Sequence, residues 1–133
     1  MVKKLIKSKD LTNQFTMDQD YDYAADSLLL YITEDYEYQK SLRLDDDIIL
    51  DFDKNDVPVA LELLNASKTL RVNKSSLLQP IAINMQVCIG KEKIRLDASF
   101  SVFVHQKLIP KDLNWQVSND INLTETKSQF ATA

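Results

Sequence analysis

From Ile81 to Val104 an apolar residue stands at nearly every second position: Ile81, Ile83, Met85, Val87 and Ile89, then Ile94, Leu96, Ala98, Phe100, Val102 and Val104. A period of two is the repeat of a β-strand with one buried face, because successive side chains point to opposite sides of a sheet. Gly90-Lys91 separates the two runs and marks the turn between two unusually long strands. The same period recurs earlier. Leu28 to Ile32 is apolar throughout, and Tyr36, Tyr38, Leu42 and Leu44 share one parity. Ile48, Leu50 and Phe52 follow, then Val57, Val59, Leu61 and Leu63, with polar breaks at Thr33–Asp35, Asp45–Asp47 and Lys54–Asp56.

Asn55-Asp56 suits a tight hairpin because both residues tolerate positive φ. Placing them at the turn sets Phe52 opposite Val59, Leu50 opposite Leu61 and Ile48 opposite Leu63, so that apolar meets apolar. Residues 28–64 thus read as a four-stranded antiparallel meander. Asn65 or Ser67 can cap a short helix near residues 66–72, with a further short turn at Ser76–Gln79 before Pro80. A last strand is expected near Leu113–Val117. The expected fold is mainly β: one domain over residues 1–133, an antiparallel β meander of about seven strands in one sheet or two packed sheets, with one short helix. Residues 119–133 are polar and read as a tail with little structure of its own.

One Gly, one His and one Cys in 133 residues remove several kinds of chemistry. A glycine-rich phosphate loop, a Cys/His zinc site and an intrachain disulfide all need residues the chain lacks. Cys88 lies within the alternating apolar run and reads as a small buried hydrophobe. The start, Met1 to Lys9, is basic but lacks the apolar stretch of a signal peptide, and no apolar run approaches a membrane span. A cytoplasmic protein without membrane contact is the expectation.

The net charge of −4 conceals an uneven spread. Residues 1–9 carry +4, residues 10–64 carry −12 and residues 65–133 carry +4. A strongly acidic front half argues against nucleic acid, which rewards clustered Lys and Arg, and suits a small basic protein partner. The expected partners are therefore such a protein or a second copy of the chain, since a long alternating strand such as Lys93–Val104 invites pairing if it lies at a sheet edge.

Three blocks in the front half carry a resemblance: Tyr21-Asp22-x-x-x-Asp26-x-Leu28-x-Leu30-Tyr31-Ile32, then Asp51-x-Asp53, then Glu62-x-Leu64-x-Ala66-Ser67-Lys68. In this order and spacing, over roughly residues 19–70, they resemble the short prokaryotic proteins grouped as domain of unknown function 2283. The resemblance implies a compact β meander leading into a helix, and residues 71–118 then form a β extension. It also implies an antitoxin-like role, as presumed for members that sit beside small basic toxin-like proteins. Members typically have Asp-Gly where this chain has Asn55-Asp56.

Asp51, Asp53, Asn55 and Glu62 match the oxygen spacing of a calcium loop, but Asp56 replaces its glycine and both flanks have period two, so a hairpin is the better reading. Asp18, Asp20, Asp22 and Asp26 precede a strand with no nucleophile or organising His nearby; Asp22 and Asp26 read as turn caps. His105 reads as an exposed turn residue rather than part of a Ser/His/Asp triad. No catalytic, cofactor or metal residue is expected. The expected function is a non-enzymatic protein-interaction module, with Tyr21, Tyr23, Asp51, Asp53 and Glu62 as its candidate surface. The rival is a small-molecule or divalent-metal enzyme with a site between two sheets.

Overall fold

The computed structural model describes residues 12–132; the basic segment Met1–Lys9 lies outside them. The strands are β1 (Thr12–Asp22), β2 (Ser27–Ile32), β3 (Lys40–Asp45), β4 (Ile48–Phe52), β5 (Pro58–Leu63), β6 (Ala82–Ile89), β7 (Lys93–Val104), β8 (Lys107–Ser118) and β9 (Thr126–Thr132). Helix α1 (Ala66–Leu70) and a 3-10 turn (Lys74–Leu78) lie between β5 and β6. All nine strands form one sheet in the order β3-β4-β5-β2-β1-β9-β6-β7-β8, and β3 approaches β8 so that the sheet nearly closes on itself.

The mainly β reading holds, and a single sheet settles the choice between one sheet and two. The strand order departs from a simple meander. β2 pairs with β5 rather than with β3, because the chain leaves β2 through an irregular stretch and returns at β3, the far edge. Tyr36 and Tyr38 belong to that stretch, not to the half-buried strand their parity suggested. The β4–β5 register matches expectation at Ile48↔Leu63 and Leu50↔Leu61, but Phe52 stands opposite Pro58 because a bulge intervenes. At the turn only Asp56 of the Asn55-Asp56 pair has positive φ.

The larger corrections concern the chain ends. The polar C-terminal segment, expected as a tail with little structure, instead forms β9 within the interior of the sheet, parallel to β1 and antiparallel to β6. Phe130 and Ser128 are buried there, and Phe130 stacks on Phe15 at 5.4 Å between ring centroids. β1 likewise went unread. Its inward parity runs Asn13, Phe15, Met17, Gln19, Tyr21, too polar to advertise a strand. Gln19 still has an inner task, since its amide donates to the Ile81 carbonyl at 2.6 Å and accepts from the Ile81 N–H at 3.0 Å.

The inward faces of the strands build one apolar core, which includes Leu28, Leu50, Phe52, Leu61, Val87, Leu96 and Phe100, all essentially inaccessible to water. Burying side chains of this size contributes about 1.5–3 kcal/mol each. β7, the strand offered as a pairing edge, is interior, flanked by β6 and β8. The actual edge β8 carries Lys107, Pro110 and Lys111, residues that discourage strand addition. Cys88 is half-buried on the outer face, because its parity is opposite to that of Val87 and Ile89.

Candidate functional site

The alternation that buries Leu50 and Phe52 sends Asp51 to the outer face, and the one that buries Leu61 and Leu63 sends Glu62 there too. Asp51 stands opposite Ala60 and Glu62 opposite Ile49, which makes the two carboxyls diagonal neighbours across β4 and β5. Across the next pair Glu62 faces Leu29, which in turn faces Asp20 on β1. The stretch between β2 and β3 is tied down at both ends, by the Thr33 N–H on the Thr16 carbonyl and the Gln39 N–H on the Phe52 carbonyl. It carries Tyr36 and Tyr38 to this face. The result is a cleft of about 380 Å³ whose walls include Asp20, Asp22, Tyr36, Tyr38, Asp51 and Glu62.

At the floor of the cleft Asp51 is buried, with only 7% of its surface exposed. Ser41 donates to its Oδ1 at 2.6 Å. The Ser41 hydroxyl has one proton, so the Tyr38 hydroxyl, 2.8 Å away, is the donor in the contact between them. Glu62 hydrogen-bonds to the same carboxylate. That bond, burial and repulsion from Asp51 push the Glu62 carboxyl up from 4.5 to about 7. Glu62 therefore keeps its proton well above the ordinary carboxylate range, up to about pH 7. Burial, with Asp51, Tyr31 and Glu62 nearby, holds the Tyr36 hydroxyl above its ordinary range.

The five residues expected to form one surface fall in three places. Asp51 and Glu62 meet in the cleft. Asp53 shapes the β4–β5 turn, accepting from the N–H groups of Asn55 at 2.8 Å and Val57 at 3.0 Å. Tyr21 and Tyr23 lie at the junction of the sheet with α1. The Tyr21 hydroxyl donates to Asp26 Oδ1 at 2.7 Å, Tyr23 packs edge-on against Tyr21, and the Lys74 ammonium sits 4.5 Å from the Tyr23 ring.

Asp26 organises this junction. Its carboxylate accepts from the Ser67 N–H at 3.0 Å and the Ser67 hydroxyl at 2.7 Å, and its carbonyl accepts the Ala66 N–H. The first turn of α1 is therefore capped from across the fold; Asn65, which holds the cap position, makes no capping side-chain bond. Burial works against the charged form of Asp26, yet the bonds from Ser67 and Tyr21 prevail and hold its carboxyl below the ordinary value. Asp22, as expected, caps the β1–β2 turn through the Ala25 N–H. His105 is exposed in the β7–β8 turn.

Sequence reasoning missed Tyr36, Tyr38, Ser41 and Asp20 as partners of Asp51 and Glu62. All five tyrosines fall between residues 21 and 38, but nothing in the pattern showed which would fold over the outer face. Among the described residues no group of three or more His, Cys, Asp or Glu side chains is placed to hold a metal ion.

The sequence pattern of a family described as Protein of unknown function (DUF2283) matches residues 19–67. An uncharacterised protein of Methanocaldococcus jannaschii is 39% identical over 108 residues, which covers 80% of this chain and 90% of that protein. The chain belongs to the DUF2283 family. A Methanosarcina mazei protein that bears the provisional name hypoxanthine phosphoribosyltransferase is 35% identical over 104 residues, 78% of this chain and 83% of that protein. No solved structure matches. The DUF2283 segment holds Asp26, Asp51, Glu62 and Ser67, so it contains both the α1 junction and the carboxyl pair. The two relatives align over about twice that length, so the similarity reaches into the strands that complete the sheet. No helix among the described residues is long and apolar enough to cross a membrane.

Proposed function

We propose that this DUF2283 protein is a non-enzymatic, cytosolic interaction module whose cleft receives a cationic side chain of a basic protein partner. The observation that carries this reading is the Asp51–Glu62 pair, Asp51 buried and Glu62 half-buried, beneath Tyr36 and Tyr38. A Lys or Arg side chain entering the cleft would meet Asp51, Asp20 and Asp22 with its charge and the tyrosine rings with its stem. The surrounding block of residues 10–64, at −12, would speed the encounter. An antitoxin-like inhibitor of a small basic protein is the specific form this takes, and a second copy of the chain is the competing partner.

Two observations favour binding over catalysis. The space where a site between two sheets was expected is filled by apolar side chains, and the Asp51 and Glu62 carboxyls have no nucleophilic side chain beside them other than Ser41, whose proton is committed to Asp51. The provisional name of the Methanosarcina mazei relative is not carried over, since one glycine in the whole chain leaves no glycine-rich loop for a phosphoribosyl group.

The test is calorimetric titration of the full chain with an Arg-rich peptide and its Lys and citrulline counterparts. Binding of the cationic peptides should weaken as salt rises, because exposed charges are screened beyond about 8 Å at physiological ionic strength. Asp51→Asn should weaken it by about tenfold or more. Equal affinity for the citrulline peptide would refute the charge mechanism.

A further inference from the structure

The other half of the sheet holds a larger depression, about 840 Å³, on the outer face of β1, β9, β6, β7 and β8. Its floor is a straight cross-strand row, Gln14, Gln129, Gln86, Asp97 and Asn114, each residue directly opposite the next. At about 4.8 Å between strands the row is about 19 Å long. A parallel row beside it adds Thr16, Asn84, Ser99 and Asp112. Five side-chain amides, each with two donors and an acceptor, thus converge with two carboxylates and two hydroxyls. Such a face offers hydrogen bonds in both directions, with Phe15, Met85, Ala98, Phe130 and Ala131 completing the lining between the polar rows.

Its chemistry narrows the ligand. No Lys or Arg lines it among the described residues, so a phosphate backbone or an acidic peptide has nothing to neutralise it. The Asp97 Oδ2 is already paired with the Arg95 guanidinium at 3.0 Å, which reduces any pull on a cation. β9, β6 and β7 are paired on both sides, and the edge strand β8 carries Lys107, Pro110 and Lys111, which discourage a peptide from joining as an added strand. Asp97 Oδ1 is buried without a hydrogen-bond partner, the kind of acceptor that persists when a water or a ligand hydroxyl supplies the donor.

We infer that this trough is a second binding site, distinct from the acidic cleft, for a neutral hydroxyl-rich chain of the oligosaccharide class. Sugar hydroxyls both donate and accept, as the amide rows do, and carboxylates accept from paired hydroxyls. Phe15 and Phe130 also line the trough, but they belong to the inward parity of β1 and β9 and pack against the core, so recognition rests mainly on hydrogen bonding and is weak, in the range of about 1 mM.

Titration of the isotope-labelled full chain with cellohexaose, maltohexaose and chitohexaose, followed by NMR, tests it. At least one sugar should produce saturating shifts in the side-chain amides of Gln86, Gln129 and Asn114 while the signals around Asp51 and Glu62 stay in place. Asn114→Ala and Gln14→Ala, both at exposed positions, should each weaken that binding about fivefold. Failure of all three sugars to saturate would overturn the inference, as would binding indifferent to both substitutions. Saturation instead by a neutral Ser/Thr/Gln peptide would overturn it in favour of a peptide site.

Discussion

Strands β2 to β5 are five or six residues long, whereas β6, β7 and β8 run to eight, twelve and twelve. The two regions share one core but hold their turns differently. In the first, carboxylates do the work: Asp22 on the Ala25 N–H, Asp45 on the Asp46 N–H, Asp53 on the Asn55 and Val57 N–H groups, and Asp26 on the start of α1. In the second, the β7–β8 connection is His105-Gln106, both at positive φ as a type I′ turn requires. Short strands contribute few ladder bonds and lean on carboxylates at their turns; the long β7–β8 hairpin turns without one, and an amide, Asn119, ties the β8–β9 connection to Gly90 and Leu123. Four of the fifteen acidic residues in 10–64 are thus turn or cap chemistry, whereas Asp51 and Glu62 serve no turn and meet on the outer face.

Removing β9 by ending the chain after Glu125 should have the largest effect, because β9 alone joins the two regions through the sheet. No cooperative thermal transition should remain in circular dichroism; a surviving transition would show that at least one region folds without β9. Asp26→Ala should follow, at about 2–4 kcal/mol in urea unfolding, since it strands the Tyr21 hydroxyl and both Ser67 donors.

The carboxyl pair makes a prediction about pH. Folded Glu62 holds its proton up to about pH 7, whereas the unfolded chain releases it near 4.5. Between these values the folded state binds more protons, so the pair's contribution to stability falls as pH rises from about 4.5 to 7 and is flat beyond. With screening taken into account the fall is on the order of 1 kcal/mol. Glu62→Gln should flatten this slope in urea unfolding between those limits; an unchanged slope would remove the proton-sharing pair. Asp53→Ala should cost about 1 kcal/mol through its turn. His105→Gly, at the corresponding turn of the long hairpin, should instead stabilise by about 0.5 kcal/mol, because only glycine adopts positive φ freely. A loss at His105 equal to that at Asp53 would erase the contrast between the regions.

What could be read from the chain follows the apolar alternation. β2, β4, β5, β6 and β7 carry three or more large apolar residues at one parity, and all were legible. β1 and β9 were not, because they sit in the middle of the sheet with inward positions that include Asn13, Gln19 and Ser128. There the partners supply the burial and the hydrogen bonds: Asn13 donates to Ser128 and Thr126, and Gln19 clasps the Ile81 backbone. Cys88 was misplaced by being grouped with its apolar neighbours when its parity set it on the other face. Of the candidate site, Asp51 and Glu62 were named together, but Tyr36 and Tyr38 reach them only through an irregular stretch with no period to read.

The sequence by itself determined that this is a mainly β protein of the DUF2283 kind with an acidic front half and turns made by Asp and Asn, since periodicity and turn chemistry act between near neighbours. Tertiary structure decided that the polar C-terminal segment is a central strand and that Asp51 and Glu62 meet beneath two tyrosines. Both depend on contacts between residues distant in the chain, whose free energy exists only once the sheet has closed around them.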